Sequence, residues 1–262
     1  MADPGESPNG LWHDGPLDAL GSDPARPVAW SLRLDTQMAA SMATRAPLRS
    51  ADLSDLAGGA DAGARLLRRR LLKALVAQFT GVHAASVVVA RSAEGRPSLT
   101  HPEGWHISLS GRYPFCLIGI AAVPIGVDVE PLTNEEPLWD MLSASETRHF
   151  LNLPEDDRRP EWLRRWVAKE AHLKLIGWTR VDPRHVQTEA ADQSRLSCSF
   201  QGRSLCRTRQ FEGRIEAVAL MAKRVASHVR SSAGDVRSLN IGSRSATTNV
   251  PAGSGGLARG SS

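Results

Sequence analysis

The groups in this 262-residue chain whose spacing could do chemistry are two carboxylates two positions apart and a third placed four residues before a lysine. Asp128 and Glu130 stand in the run Ile125-Gly126-Val127-Asp128-Val129-Glu130, where Ile125, Val127 and Val129 alternate with the two acids. That period of two predicts a strand with both carboxylates on one face. Glu170 and Lys174 stand in RPEWLRRWVAKEAHLKLIGW, and residues four apart share a helix face. Three carboxylates on stiff elements make a hard-oxygen site suited to Mg²⁺. Either pair alone is ordinarily a solvated face or a surface ion pair worth a few tenths of a kcal/mol. The two motifs together, about forty residues apart, are what point to a site.

Positioning these groups requires a strand and a helix that bury their other faces. The helix is expected from Pro160 to Ile176, stopped by Gly177, with Trp162, Trp166 and Leu173 forming the stripe that buries it and Lys169 adding a second cation beside Glu170. Pro154 to Arg159 reads as a polar loop before it. Upstream, Val28, Trp30, Leu32 and Leu34 alternate with Ala29, Ser31 and Arg33 as a first strand. Thr36 to Gly63 is small and weakly patterned. A helix is expected from about Asp61 to Phe79, with Leu67, Leu71 and Leu75 on one line and Arg65, Arg69 and Lys73 on another, ended by Gly81. A basic line of this kind is ordinarily solvated. Strands follow at Ser86 to Arg91, Trp105 to Ser110 and Phe115 to Ala122, the last two forming a hairpin that leads into the Asp128 strand. Ser143-Ala144-Ser145-Glu146 is a capping box that should open a helix through Phe150. Leu196 to Phe200, Ser204 to Arg209 and Ile215 to Ala222 read as closing strands.

The formal charge is +4, and the stretch from Ser227 onward carries three of those charges, so the remainder is nearly neutral and unlike a nucleic-acid binder. Cys116, Cys198 and Cys206 show no metal spacing and read as buried thiols in a reducing compartment. No apolar run is long enough for a membrane span and no signal-peptide core is evident, so a cytoplasmic protein is expected. Residues 1–26 and 227–262, rich in Gly, Pro, Ser or Asp, are expected to be disordered, the former ordering only if Leu11 and Trp12 dock.

In its motifs the chain resembles the 4′-phosphopantetheinyl transferases, and among them the longer, surfactin-synthetase-activating type that serves nonribosomal peptide and polyketide synthases. The likeness rests on Gly126-Val127-Asp128-Val129-Glu130 and on Trp166-Val167-Ala168-Lys169-Glu170-Ala171 ending in Lys174. It extends more faintly to Gly95-Arg96-Pro97, to Trp105 through Gly111 and to the arginine-rich helix beginning near Arg65, covering roughly residues 28 to 225. The resemblance implies an α+β fold of two similar halves with pseudo-twofold symmetry, here 27–124 and 125–226, with the ligand cleft between them. It also implies a monomer.

The implied reaction moves 4′-phosphopantetheine from coenzyme A to a serine of an apo carrier protein, releasing adenosine 3′,5′-bisphosphate. Asp128, Glu130 and Glu170 would hold Mg²⁺. Glu170, or a metal-bound water it orients, would take the serine proton, and Lys174 would contact the transferred phosphate. Arg65, Arg96, Ser108 and Ser110 would contact the nucleotide and its phosphates. Two departures stand out: Leu109 replaces the histidine that commonly follows the motif serine, and Val167 replaces a smaller residue. Arg112 and Arg96 are the cations nearest in sequence that could supply the missing donor, while His106, on the face opposite Leu109, could as well serve structure as ligand. Two other readings remain: a different Mg²⁺-dependent phosphodiester enzyme, and an impaired homologue that only binds CoA or a carrier protein.

Overall fold

Leu11 and Trp12 do dock. In the computed structural model, which describes residues 10–222 except 21, 22, 24, 57–60, 93, 94, 134, 135, 137 and 179, strand β1 (Trp12–His13) pairs in parallel with β2 (Val28–Arg33). Leu11 and Leu17 are buried, and the guanidinium of Arg209 lies 4.3 Å from the Trp12 ring centroid. The two buried leucines contribute roughly 1.5–3 kcal/mol each toward ordering the segment. The expectation of disorder across 1–26 is therefore corrected for residues 10–20. Residues 1–9 and the expected tail at 227–262 lie outside the described residues.

The weakly patterned stretch after β2 forms α1 (Gln37–Thr44), capped by the Thr36 hydroxyl, and α2 (Ser50–Leu56). Their buried faces are short, with Ala39, Met42 and Ala43 in α1, which is why no strong periodicity announces them. Helix α3 (Ala62–Thr80) follows, burying Leu71, Leu72, Leu75, Val76 and Phe79 and ending at Gly81, whose φ of +74° suits glycine. Its basic line is only in part a solvated face. Arg69 and Lys73 are buried on Asp52 of α2, with Asp55 also bound to Arg69.

β3 (Val88–Arg91) and β4 (Pro97–His101) form a separate two-stranded ribbon, and Ser86, expected to open the strand, instead ends a short 3₁₀ turn, Ala84–Ser86. β5 (His106–Arg112) and β6 (Phe115–Ala121) complete a first sheet of order β1-β2-β6-β5. β7 (Ile125–Pro131) then leaves for a second sheet of order β7-β11-β10-β9-β8, whose other strands are β8 (Gln187–Ala190), β9 (Arg195–Ser199), β10 (Arg203–Phe211) and β11 (Arg214–Met221). Leu117, Ala121, Ile125, Val127, Val129 and Val218 share one apolar cluster that joins the sheets. A Cβ on Gly119 would lie 2.7 Å from Val127, so only glycine lets β6 approach this closely. A second tie is polar: fully buried Glu216 accepts from Arg214 and Arg209 at 2.7 and 2.8 Å and from Ser31 of β2.

Between β7 and β8 lie α4 (Ala144–Leu151), opened by the expected capping box, and α5 (Glu155–Ile176). Helix α5 begins earlier than expected. Glu155, Asp156 and Asp157 occupy its first turn, where carboxylates are favoured by the helix dipole, and Pro160 sits inside at the cost of one backbone bond. The fold is α+β, as the sequence predicts. The three cysteines are free and buried, and among the described residues no helix is long and apolar enough to cross a membrane.

Candidate active site between β7 and α5

Alternation along β7 turns Ile125, Val127 and Val129 into the core between the sheets and leaves Gly126, Asp128 and Glu130 facing α5. A Cβ on Gly126 would fall 1.9 Å from the Ala171 carbonyl oxygen and 2.6 Å from the Leu175 nitrogen. The missing side chain therefore lets the helix lie directly on the strand. Along the contact, the α5 stripe Trp166, Glu170 and Lys174 runs beside Glu130 and Asp128. The Trp166 indole donates to Glu130, and Lys174 Nζ is 2.6 Å from Asp128 Oδ1.

Burial first, and then the charge of Asp128, pushes the Glu170 carboxyl up to about 6, against the opposing pull of Lys174. Glu130 is raised by the same two causes, while Arg112 Nε, 3.1 Å from both its oxygens, opposes the shift. Asp128 is 3 % exposed; its Oδ1 accepts from Ser110 at 2.7 Å and from Lys174, whereas its Oδ2 is buried with no hydrogen-bond partner. A buried anionic oxygen without a donor is costly. Set beside Glu130 and Glu170, whose carboxyls are raised by burial and by the charge of Asp128, it gives a donor set whose chemistry fits a hard divalent cation such as Mg²⁺. The geometry is less complete. Among the described residues no group of three His, Cys, Asp or Glu is gathered for coordination, and Lys174 and Arg112 hold two of the carboxylates instead.

Several side chains stand elsewhere than expected. Lys169 does not lie beside Glu170. It is buried on the far side of α5, with Nζ 2.7 Å from Glu146 Oε2 and 3.1 Å from the Met141 carbonyl, and Glu146 is also the capping-box acid of α4. Of the expected stripe, Leu173 is buried with Val167, Ala168, Ala171 and Leu175 in the core that α5 shares with its sheet, Trp166 packs partly buried against that core, and Trp162 lies outside it. The tryptophans stack instead, 5.8 Å apart, and with Glu130, Arg112 and Leu138 line a cavity of about 520 Å³.

On the other side of Asp128, Ser108 and Ser110 are buried and their hydroxyls accept from the Val127 and Val129 N–H groups at 3.0 and 3.3 Å, tying β5 to β7. Arg96 reaches the C-terminal end of α5, with Nη1 3.5 Å from the Leu175 carbonyl; burial lowers its pKa. His106, exposed at the start of β5, is lowered by partial desolvation and by the charge of Arg96. Of the two cations nearest Leu109 in sequence, Arg112 turns to Glu130 and Arg96 to α5. Leu109 and Ser110 instead line a cavity of about 220 Å³ with Arg65 and Arg68, and Arg68 Nη1 donates to the Gly111 carbonyl at 3.0 Å. Arg68 was not singled out from sequence. Its one signal is Gly111, a strand glycine marking close approach of another group.

Comparison with known proteins places the β7–α5 segment. Residues 124–220 match a family model described as ACPS, the 4′-phosphopantetheinyl transferase superfamily. Among solved structures, the chain is similar to the crystal structure of Thermotoga maritima holo-[acyl-carrier-protein] synthase, with 20% identity and a TM-score of 0.33. That match covers 39% of this chain and 64% of the other, less than two thirds of its length. No curated protein matches the sequence.

Proposed function

We propose that this chain, whose residues 124–220 match the model of the 4′-phosphopantetheinyl transferase superfamily, moves 4′-phosphopantetheine from coenzyme A to a serine of an apo carrier protein, releasing adenosine 3′,5′-bisphosphate. The observation that carries the reading is the contact of the matched segment's two motifs: Asp128 of β7 and Lys174 of α5 meet at 2.6 Å, with Glu170 one turn before Lys174 on the same helix stripe and Asp128 Oδ2 unpartnered.

Asp128, Glu130 and Glu170 would hold Mg²⁺, which when bound neutralises charge on a pyrophosphate. Glu170, with a pKa near 6, is ionised at neutral pH yet still basic enough to accept the serine proton. Lys174, held beside the site by Asp128, supplies positive charge to the phosphoryl group under attack. Ser108 and Ser110 fix the strand that carries Asp128, so their first role here is positioning. Arg65 and Arg96 are left to meet the nucleotide. The cavity walled by Trp162 and Trp166 would take the phosphopantetheine arm, whose amide and methylene groups suit indole faces. On this reading residues 27–124 supply the nucleotide side and 125–226 the acids, the protein works in the cytoplasm as a monomer, and its partners are carrier domains of nonribosomal peptide or polyketide synthesis.

Chromatography of the nucleotide released from CoA tests the reading. Adenosine 3′,5′-bisphosphate should appear with an intact apo carrier and not with a carrier whose acceptor serine is alanine. Release from both carriers would indicate a phosphodiester hydrolase. Release from neither, with CoA still bound, would leave the binding-only reading.

A further inference from the structure

The alternation of β5 runs on past its serines, so Ser108, Ser110 and Arg112 share one face, and all three meet β7. Ser108 accepts from the Val127 N–H, Ser110 accepts from the Val129 N–H and donates to Asp128, and Arg112 Nε lies 3.1 Å from both oxygens of Glu130. From the other side, α5 brings Lys174 to Asp128 at 2.6 Å. Each acid of β7 therefore has a cation of its own, Lys174 for Asp128 and Arg112 for Glu130.

The two cations are held differently. The Lys174 side chain is 26 % exposed and also donates to Ser110 at 3.1 Å, whereas the Arg112 side chain is 64 % exposed on a Glu130 that is 16 % exposed. A pair with one partner so open to water contributes little to stability. A hard divalent cation reaches carboxylate oxygens at about 2 Å with twice the charge, so at Glu130 it outcompetes a guanidinium nitrogen standing 3.1 Å away. The displaced side chain has room to turn, because Arg112 and Glu130 both line the cavity of about 520 Å³ beside Trp162 and Trp166. The Arg112 pKa is raised by the charge of Glu130 foremost and, against some desolvation, by those of Asp128 and Glu170, which places the guanidinium in the joint field of all three acids.

We propose that Arg112 is a positioning residue that competes with the divalent cation for Glu130, holding this carboxylate at the site until the metal takes it and thereby setting the metal affinity. The inference rests on the reading of Asp128, Glu130 and Glu170 as metal ligands under the proposed function. Without metal, these three acids face two protein cations, Lys174 and Arg112; without Arg112 they face one.

Titration of the full chain with Mn²⁺, a hard cation with the same preference for carboxylate oxygen, tests this without any turnover, because the electron paramagnetic resonance signal of free Mn²⁺ reports the bound fraction. Arg112 is too exposed for its loss to unfold the chain. Arg112→Gln should bind Mn²⁺ about fivefold more tightly than wild type, the factor expected from removing a partly exposed ion pair. Arg184→Gln, the same change of charge at an exposed arginine paired with Asp182, should leave the affinity as it is. Equal or weaker Mn²⁺ binding in Arg112→Gln than in wild type overturns the inference while leaving the metal reading intact. An equal gain in Arg184→Gln also overturns it, by assigning the effect to net charge. Melting temperatures add a readout that a purely structural arginine would not move. In chelator Arg112→Gln should melt below wild type, and saturating Mn²⁺ should close the gap; a gap of the same size with and without Mn²⁺ overturns the inference. If Mn²⁺ binds neither wild type nor Arg112→Gln, the inference falls together with the metal reading.

Discussion

Lys174 Nζ and Asp128 Oδ1 lie 2.6 Å apart across the β7–α5 contact, while the second Asp128 oxygen is buried and unbonded. One carboxylate thus holds the lysine of the helix motif and keeps a second oxygen with no hydrogen-bond partner. Asp128→Asn should keep the strand, since an amide fits the same space and Lys174 is partly exposed and can be rehydrated. Turnover should fall on the order of a hundredfold or more, while the urea midpoint moves little. A fall in midpoint large enough to explain the lost activity would assign Asp128 to structure instead.

The two motif lysines should behave oppositely. Lys169 and Glu146 are each 1 % exposed as side chains, and removing one member of such a pair leaves a buried charge, costing about 3–5 kcal/mol. Lys169→Met should therefore lower stability severely. Lys174→Met should cost far less and instead lower kcat. Equilibrium urea unfolding beside single-turnover kinetics separates the two effects, and similar stability losses in both variants would refute the division.

Glu170 gives a pH signature with a definite sign. Its folded pKa, about 6, lies above the ordinary 4.5, so the folded state binds its proton more tightly than the unfolded state. The stabilisation from this group is complete below pH 4.5 and is lost as pH rises through 6, on the order of 2 kcal/mol in all. In metal-free buffer, Glu170→Gln should remove that loss and be more stable than wild type at pH 7, though less active. Parallel Tm profiles from pH 4.5 to 7.5 check this. Curves that stay parallel would show that Glu170 is not desolvated by the site.

Gly126→Ala places a methyl 1.9 Å from the Ala171 carbonyl, a backbone atom that cannot swing aside. Helix α5 would have to lift from β7, at a cost of about 3 kcal/mol or more and with loss of the Asp128–Lys174 contact. Retained stability with retained activity in a purified Gly126→Ala protein would contradict the strand–helix packing.

The candidate site was legible in the sequence because both periodicities are local: alternation aims Asp128 and Glu130 to one face, and spacing by four aligns Glu170 with Lys174. The strand order between sheets was not, since it depends on Gly119 and Gly126 meeting side chains and backbone far along the chain. Lys169 was misplaced because its partner Glu146 is 23 residues away, and nothing in the helix period distinguishes a lysine facing a site from one facing a neighbouring helix. Trp162 read as core because it shares a stripe with Trp166 and Leu173, yet only those two reach the core, where Ala168 and Ala171 make the close contact. Pro160 looked like a helix start because proline favours that position, while the three acids before it were the truer signal. Arg68 was invisible among neighbouring arginines until the fold set it over Gly111.

The central claim is group transfer carried by the β7 and α5 acids, and the intact mass of an apo carrier protein incubated with CoA, Mg²⁺ and this chain tests it most directly. The account expects the carrier to gain the mass of one phosphopantetheine with the wild type and to stay unchanged with Asp128→Asn over the same interval. No gain with several unrelated apo carriers, or an equal gain with Asp128→Asn, would contradict it.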